Sequence, residues 1–402
     1  MGLGPMISTL MRSKTGPLLV ALQIAVTLAI VINALFIVVQ RIEKMNRDPG
    51  IDVDNVIVTY VRGFGEDFDV VSSITNDLDL IRSIPGVVAT TVSNQIPLSG
   101  SGSGTRLRTV PDETADAVNT TRYRWDENGL DALGVQLSRG RNFTPQEIDV
   151  VMPTIDPATP ASVLVTQALA NDLFGEEDAL GKTVYWSDMS QSTIVGIIDH
   201  MHGSWVNWNK FNNSVIQPGM QADTTNKYVT RAEPGMRDAL IPLIEKQLGE
   251  SNRRRVVKSV RSLQDIAARS YRRDFAMVTI LSVVMTLLIG LTALVIVGLS
   301  SFHVTQRKKQ IGTRRALGAR RIDIIKQFMF ENWLITTAGA VLGVVLTVGV
   351  AYWLEVSFSL TRLDWRYLPA GIVTLWVLSS LAVVEPARRA ASVSPAVATR
   401  SI

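Results

Sequence analysis

Along this chain the hydrophobic positions fall into two regimes. Four stretches lack Asp, Glu, Lys and Arg over a spanning length: Thr15 to Gln40, Phe275 to Gln306, Asn332 to Leu354 and Tyr367 to Val384. A bilayer-crossing helix needs about 17 to 25 apolar residues, and the last stretch lies near the lower end of that range. Between the first and second, apolar residues come instead in short runs. The run V-I-V-T-Y-V at Val56 to Val61 reads as a strand, Phe68 to Ser83 as a helix, Pro85 and Gly86 as a turn, and Val87 to Val92 as a second strand. A similar unit closes the region, with strands at Tyr228 to Arg231 and Val256 to Val260 flanking a helix from Pro234 to Gly249. Two split β-α-β halves separated by a long insertion, roughly Gly100 to Met220, predict a ferredoxin-like sandwich interrupted by a second subdomain. That insertion holds strand-like runs at Ser162 to Val165, Thr183 to Trp186 and Thr193 to Ile198. A helix from Ser262 to Asp274 precedes the second long run and is expected to continue into it as a stalk. The predicted fold class is an α-helical membrane protein with four transmembrane helices, one plus three, and a large external α+β domain.

Charge orients this layout. The segment from His303 to Asn332 carries Arg307, Lys308, Lys309, Arg314, Arg315, Arg320, Arg321 and Lys326 against only Asp323 and Glu331. Short basic loops are retained in the cytoplasm, so both termini fall inside, and residues 41–274 and the loop 356–366 fall outside. Arg12 and Lys14 before the first span and Arg388, Arg389 and Arg400 after the last agree with this. The first span is too long for a signal-peptide core and lacks a small-residue cleavage site, so it reads as an uncleaved anchor. Past Gly318, the residues Ile322, Ile324, Ile325, Phe328 and Met329 follow helical spacing, which predicts a short amphipathic helix lying at the membrane surface. The isoelectric point of 9.3 is topological: with the whole chain at +4, the basic cytoplasmic segments leave the external domain net acidic. Nucleic-acid binding gains no support from it.

Chemistry is sparse. There is no cysteine, so the external domain holds together through its core alone. No charged residue sits within a span, which argues against proton- or ion-coupled secondary transport. The run G-E-E-D-A-L-G-K-T at Gly175 to Thr183 has five residues between its glycines where a phosphate-binding loop has four. The run G-S-G-S-G at Gly100 to Gly104 lacks dinucleotide-fingerprint spacing and reads as a mobile loop. His200 and His202 have only His303, across the membrane, as a third histidine, and read as a surface turn. Trp205, Trp208 and Phe211 form either an apolar contact surface or core packing. Two stripes of small residues suit close helix packing, within one chain or between two: Ser282, Thr286, Gly290 and Ala293 in the second span, and Gly339 and Gly343, extended by Thr347 and Ala351, in the third.

Four segments, in order on the one-plus-three layout, resemble the MacB/FtsX-type permeases of ABC transporters. They are Q-R-K-K-Q-I-G-T-R-R-A-L-G-A at Gln306 to Ala319, L-D-A-L-G-V-Q-L-S-R-G-R-N-F-T at Leu130 to Thr144, V-L-V-T-Q-A-L-A-N-D-L-F-G at Val163 to Gly175, and P-A-R-R-A-A at Pro386 to Ala391 followed by S-P-A at Ser394 to Ala396. The resemblance covers nearly the whole chain. It implies a periplasmic core domain over 41–274 with a porter subdomain and an insertion at about 100–220. It further implies a cytoplasmic N-terminus and first span within 1–40, further spans at 275–302, 333–355 and 367–384, a cytoplasmic coupling segment at 303–332 and a tail at 385–402. As implied, the coupling residues are Gln310, Gly312, Arg314, Arg315, Ala316, Leu317, Gly318, Ala319, Arg320 and Arg321. Gln310 departs from the glutamate common in the family, which removes any contact that depends on that charge.

The resemblance also implies partners: a dimer of separate ABC ATPase subunits that hold ATP and Mg, a second permease copy or a paralogue, membrane lipid, and for some members a periplasmic adaptor and outer-membrane channel. The chain itself is expected to bind no cofactor and catalyse nothing. In an inner membrane it would act by mechanotransmission, passing ATP-driven closure to the periplasmic domain for efflux of drugs, peptides or other substrates. An FtsX-like regulator of a cell-wall hydrolase and a lipoprotein-extraction permease share the layout, whereas a sensor unrelated to ATPases needs neither three further spans nor a basic loop. The charge argument makes a direct prediction. A reporter active only outside the cytoplasm should work at Asp112 and Arg362 and fail at Gly318 and Ser401, and activity at Gly318 would invert the topology.

Overall fold

In a computed structural model, residues 15–152, 159–358 and 361–392 are described. Arg12, Lys14, the Ser394 to Ala396 motif and Arg400 lie outside them. The chain divides into two units, Met1–Asn46 with Asp274–Ile402, and Arg47–Arg273.

The chain enters through α1 (Thr15–Met45) and then builds the second unit with β1 (Val56–Gly63), α2 (Val70–Arg82), β2 (Val87–Val92), β3 (Gly104–Leu107), β4 (Val118–Trp125), α3 (Gly129–Leu133), β5 (Leu137–Gly140), β6 (Val150–Val151), β7 (Ser162–Thr166), α4 (Gln167–Phe174), β8 (Thr183–Tyr185), β9 (Gln191–Ile198), β10 (Ser214–Pro218), β11 (Met220–Gln221), β12 (Thr225–Ala232), α5 (Arg237–Ser251), β13 (Arg255–Ser262) and α6 (Leu263–Ser270). One sheet has the order β13-β1-β12-β2, antiparallel throughout, with Val58 paired to Val229 on one side and Arg261 on the other. Its central strand is covered on both faces, which explains an almost unbroken apolar run. Ile57 and Val61 pack on Ile74, Leu78, Leu240 and Ile244 of α2 and α5. Val56 and Val58 face the other way, into a core with Ile96, Tyr123, Trp125 and Leu133. Each such aliphatic side chain gains about 1.5–3 kcal/mol from burial.

A buried ionic knot ties the helices to this sheet. Asp77 of α2 accepts from the Tyr228 hydroxyl at 2.7 Å and pairs with Arg255, which also donates to Ser251 Oγ at 2.6 Å. Burial pushes the Asp77 carboxyl up, and the hydrogen bond and charge of Arg255 oppose that shift. Removing one partner of such a pair leaves a buried charge uncompensated, at a cost of about 3–5 kcal/mol.

The second sheet runs β3-β4-β10-β7-β9-β5, with β8 on β9. Leu169 and Ala170 of α4 pack on Val163, Val165, Ile197 and Val215 of its strands. Beside it, Thr144 and Glu147 form a capping box in which Glu147 also receives Arg141 through two bonds of 2.7 and 2.9 Å and Ser162 Oγ at 2.7 Å.

The other unit contains α1, α7 (Arg272–Gln306), α8 (Lys308–Ala316), α9 (Arg321–Phe358) and α10 (Tyr367–Ala391). Four of these, all but α8, are long and apolar enough to cross a membrane. Here α9 lies close along α1: a Cβ at Gly339 would meet the Ala21 carbonyl oxygen at 2.8 Å, and one at Gly343 would meet Leu28 at 2.8 Å. Asn33 of α1 donates to the carbonyls of Ala29 at 2.9 Å and Thr347 at 3.2 Å. Ser379 of α10 bonds Asn332 and Thr336 of α9, both at 2.7 Å. By contrast α7 leaves most of its apolar length uncovered, with Leu287 and Leu294 67% and 70% exposed.

Several expectations are corrected. The short helix predicted past Gly318 does not exist as a separate element. Residues 321–358 form one helix of 38 residues, because no glycine or proline falls between Arg321 and Ala338 to break it, and Ile324 and Phe328 are packed in the core of this unit. The short helix precedes Gly318 instead. The predicted stalk is interrupted as well: α6 ends at Ser270, with a turn at Tyr271. The helix that holds the second long run extends from Arg272 to Gln306, and the helix of the fourth continues to Ala391, carrying P-A-R-R-A-A as helix. Of the insertion, sequence patterning missed β3, β4, β5, β6 and β10: Thr, Arg and Asn residues hide the period-two signal in β3 and β4, and β5, β6 and β10 are too short to show one. The 100–103 stretch is irregular, but Gly104 already belongs to β3.

Two predictions follow from these contacts. Gly339→Leu must push α9 off α1 and should cost about 1–3 kcal/mol, whereas Gly290→Leu, with nothing within 4 Å, should leave thermal unfolding of the solubilised chain unchanged. The Glu147 carboxyl is held well below its ordinary value of about 4.5, chiefly by Arg141. Its contribution is therefore present above that value and lost as pH falls below it. Glu147→Gln should be less stable by about 1–2 kcal/mol at neutral pH, and denaturant titrations should show the gap to wild type closing on acidification.

Candidate functional site

The basic segment folds as helix, turn, helix. After Gln306 the chain kinks at Arg307 into α8, ends at Leu317, and re-enters helix at Arg321. Gly318 makes this reversal with φ of +97°, a left-handed region where a Cβ is strained. The Asp323 carboxylate accepts from the Arg320 backbone N–H at 3.0 Å, capping the start of α9.

The basic residues divide into braces and tip. Arg307 grips both oxygens of Glu331 at 3.0 Å, fixing the end of α7 to α9. Arg314 donates to Gln327 at 2.6 Å, which donates to Glu331 at 3.1 Å. Arg315 donates to the Ala391 carbonyl at 2.9 Å, fixing α8 to the end of α10. Ile311 and Gly312 are buried, while Gln310 and Ala316 are exposed and Ala319 is half-buried. At the tip, Leu317 is 83% exposed, Gly318 has open space around it, and Arg320 and Arg321 are exposed, their guanidinium groups forming no ion pair among the described residues. Sequence reasoning grouped all of these as one surface. It missed that Arg314, though exposed, is bonded to Gln327 and that Arg315 is half-buried against Ala391, and it missed the Arg307–Glu331 pair, for which the isolated acid in a basic run was the available signal. The small-residue stripes separate too: Gly339 and Gly343 meet α1, while Ser282 is half-buried and Thr286 and Gly290 are exposed.

The chemical decoys resolve in the other unit. The Gly175 to Thr183 run follows helix α4 and leads into strand β8, the reverse of the strand-to-helix order of a phosphate loop. Lys182 there pairs with Glu177 and lies 4.6 Å over the Phe174 ring. His200 Nε2 sits 2.6 Å from the Asp48 carbonyl oxygen, and His202 is buried, its ring tilted 32° to that of Phe211 at 4.8 Å, which corrects the surface-turn reading for that residue. Among the described residues no group of three or more His, Cys, Asp or Glu could hold a metal ion.

Comparison with known proteins matches residues 18–246 to the MacB-like periplasmic core domain and 282–395 to the FtsX-like permease C-terminal domain. The chain is 24% identical over 253 residues to the uncharacterized ABC transporter permease YvrN of Bacillus subtilis, covering 59% of each. It is 26% identical over 302 residues to the macrolide export ATP-binding/permease protein MacB of Wolinella succinogenes, covering 70% of this chain and 45% of that one. It thus spans about half the length of these curated relatives. The periplasmic region of MacB from Actinobacillus actinomycetemcomitans aligns over 56% of this chain and 97% of its own, at 14% identity and a TM-score of 0.33. On the two family matches, the first of which alone covers more than half of the chain, this chain belongs to the MacB/FtsX-like family of ABC transporter permeases.

Proposed function

We propose that this chain is the permease subunit of a MacB-like transporter in an inner membrane, with both termini cytoplasmic and the Arg47–Arg273 unit periplasmic. ATP hydrolysis belongs to a partner ABC ATPase dimer that binds ATP and Mg, and a second permease copy or paralogue completes the membrane assembly. We read the four-stranded sheet and its two helices as a ferredoxin-like porter subdomain. Closure of the ATPases is passed through the basic segment to the long helices and on to the periplasmic unit, driving efflux of periplasmic substrates, with an adaptor and outer-membrane channel beyond.

The observation that carries this reading is the exposed tip at Leu317 and Gly318. A leucine 83% exposed, beside two guanidinium groups without an acidic partner among the described residues, combines an apolar knob with charges that suit an acidic groove. The braces on either side make the tip a stiff lever: force on it reaches α7 through Arg307 and Glu331, and α10 through Arg315.

Gly318 is a poor site for a test, since any side chain there is strained by its backbone. Leu317→Glu keeps the helix ends intact and should reduce recovery of the ATPase subunit in pull-downs by at least tenfold, with export lost in parallel and insertion unaltered. Unchanged recovery and unchanged export would remove the coupling role from this turn.

A further inference from the structure

The Arg47–Arg273 unit has a surface cleft of about 780 Å³ beside β3, the edge strand of the second sheet. That volume is in the range of pockets for small organic ligands, about 300–1,000 Å³. Two tryptophans wall it: the rings of Trp205 and Trp208 meet at 79° with centroids 5.7 Å apart, forming a corner that offers one indole face and one indole edge. Both are half-buried, so neither is spent on the core. The floor is open because of one residue. Gly104 has no side chain, and a Cβ there would stand 3.3 Å from the Thr120 carbonyl oxygen and 3.5 Å from Trp205.

Polar character comes from two further lining residues. Arg106 and Asn119 are directly paired across β3 and β4, so they share a face, and Arg106 Nε donates to Asn119 Oδ1 at 3.2 Å. This orients the guanidinium and leaves its terminal nitrogens available, since Arg106 has no acidic partner among the described residues. No Asp or Glu lines the cleft among those residues. Asp188, just beyond it in sequence, takes the Ser190 backbone N–H at 3.1 Å. The cleft therefore presents an aromatic corner and one oriented, unneutralised cation, on a unit whose net charge is acidic.

We propose that this cleft is a binding site for a small amphipathic anion, with a ring or other flat apolar body in the Trp205–Trp208 corner and a carboxylate or similar oxyanion on Arg106. A flat body gains stacking and edge contacts from the two indoles, and the guanidinium fork selects a planar anion over a neutral or cationic analogue. The site is formed within one unit and stands independently of coupling to an ATPase.

The test uses the full chain in lipid nanodiscs, labelled with 5-fluorotryptophan and followed by fluorine NMR, with Trp205 and Trp208 assigned from their single Phe variants and empty nanodiscs as blank. The probes are 1-naphthoate, its neutral amide and 1-naphthylmethylammonium. Naphthoate should shift the Trp205 and Trp208 resonances saturably, at least tenfold more tightly than either analogue, and leave the other tryptophans in place. Arg106→Gln, an exposed change that the fold tolerates, should bring naphthoate down to the level of the amide. Gly104→Val should fill the floor and weaken all binding, while unshifted core tryptophans report an intact fold. The absence of any shift at Trp205 and Trp208, equal binding of the three probes, or undiminished naphthoate binding in Arg106→Gln would each overturn the proposal.

Discussion

The close approach of α9 to α1 is the constraint on which the membrane-type unit depends. Gly339 and Gly343 let the two backbones nearly touch, and van der Waals contact at that range replaces the hydrophobic drive that helices lack in lipid. Once α1 is held, α10 can seat against it, with Gly371 against Ile32 and Ser379 bonded back to α9. Asn33 reinforces the same seam by reaching a carbonyl on each helix. The result is a bundle of three helices around α1, whose Ile24, Leu28 and Ile32 are almost wholly buried.

The remaining long helix is attached differently. At one end of α7, Asp274 takes Arg41 and Lys44 of α1, both at 2.7 Å. Midway, Thr292 and Thr27 share a hydrogen bond of 2.8 Å, and at the other end Arg307 holds Glu331. Polar points of this kind are directional, and between them the helix buries little. It is fixed in register along its axis more firmly than it is packed sideways.

Legibility from sequence followed from how locally each feature is encoded. The four long runs and the β-α-β units showed because burial on one or both faces writes itself into periodicity, as in Val56 to Val61. Strands β4 and β10 did not, because V-N-T-T-R-Y-R-W satisfies its polar side chains through bonds such as Arg124 to Gln217 at 2.8 Å, which no local pattern announces. Within the basic segment, composition marked the region but not the division of labour. Whether an arginine braces or protrudes depends on Gln327, Glu331 and Ala391, which lie up to 76 residues away. Likewise Trp205 and Trp208 were visible as aromatics, while the cleft they wall needs Gly104 and Arg106 from strand β3, about a hundred residues earlier in the chain.

The turn at Gly318 has a consequence of handedness. Its φ of +97° and the open space around it mean that the position is restricted by chirality rather than by size. A semisynthetic chain carrying D-alanine there would accept the turn as readily as glycine does and would lose less entropy in forming it, whereas its L-enantiomer would be strained in the same empty space.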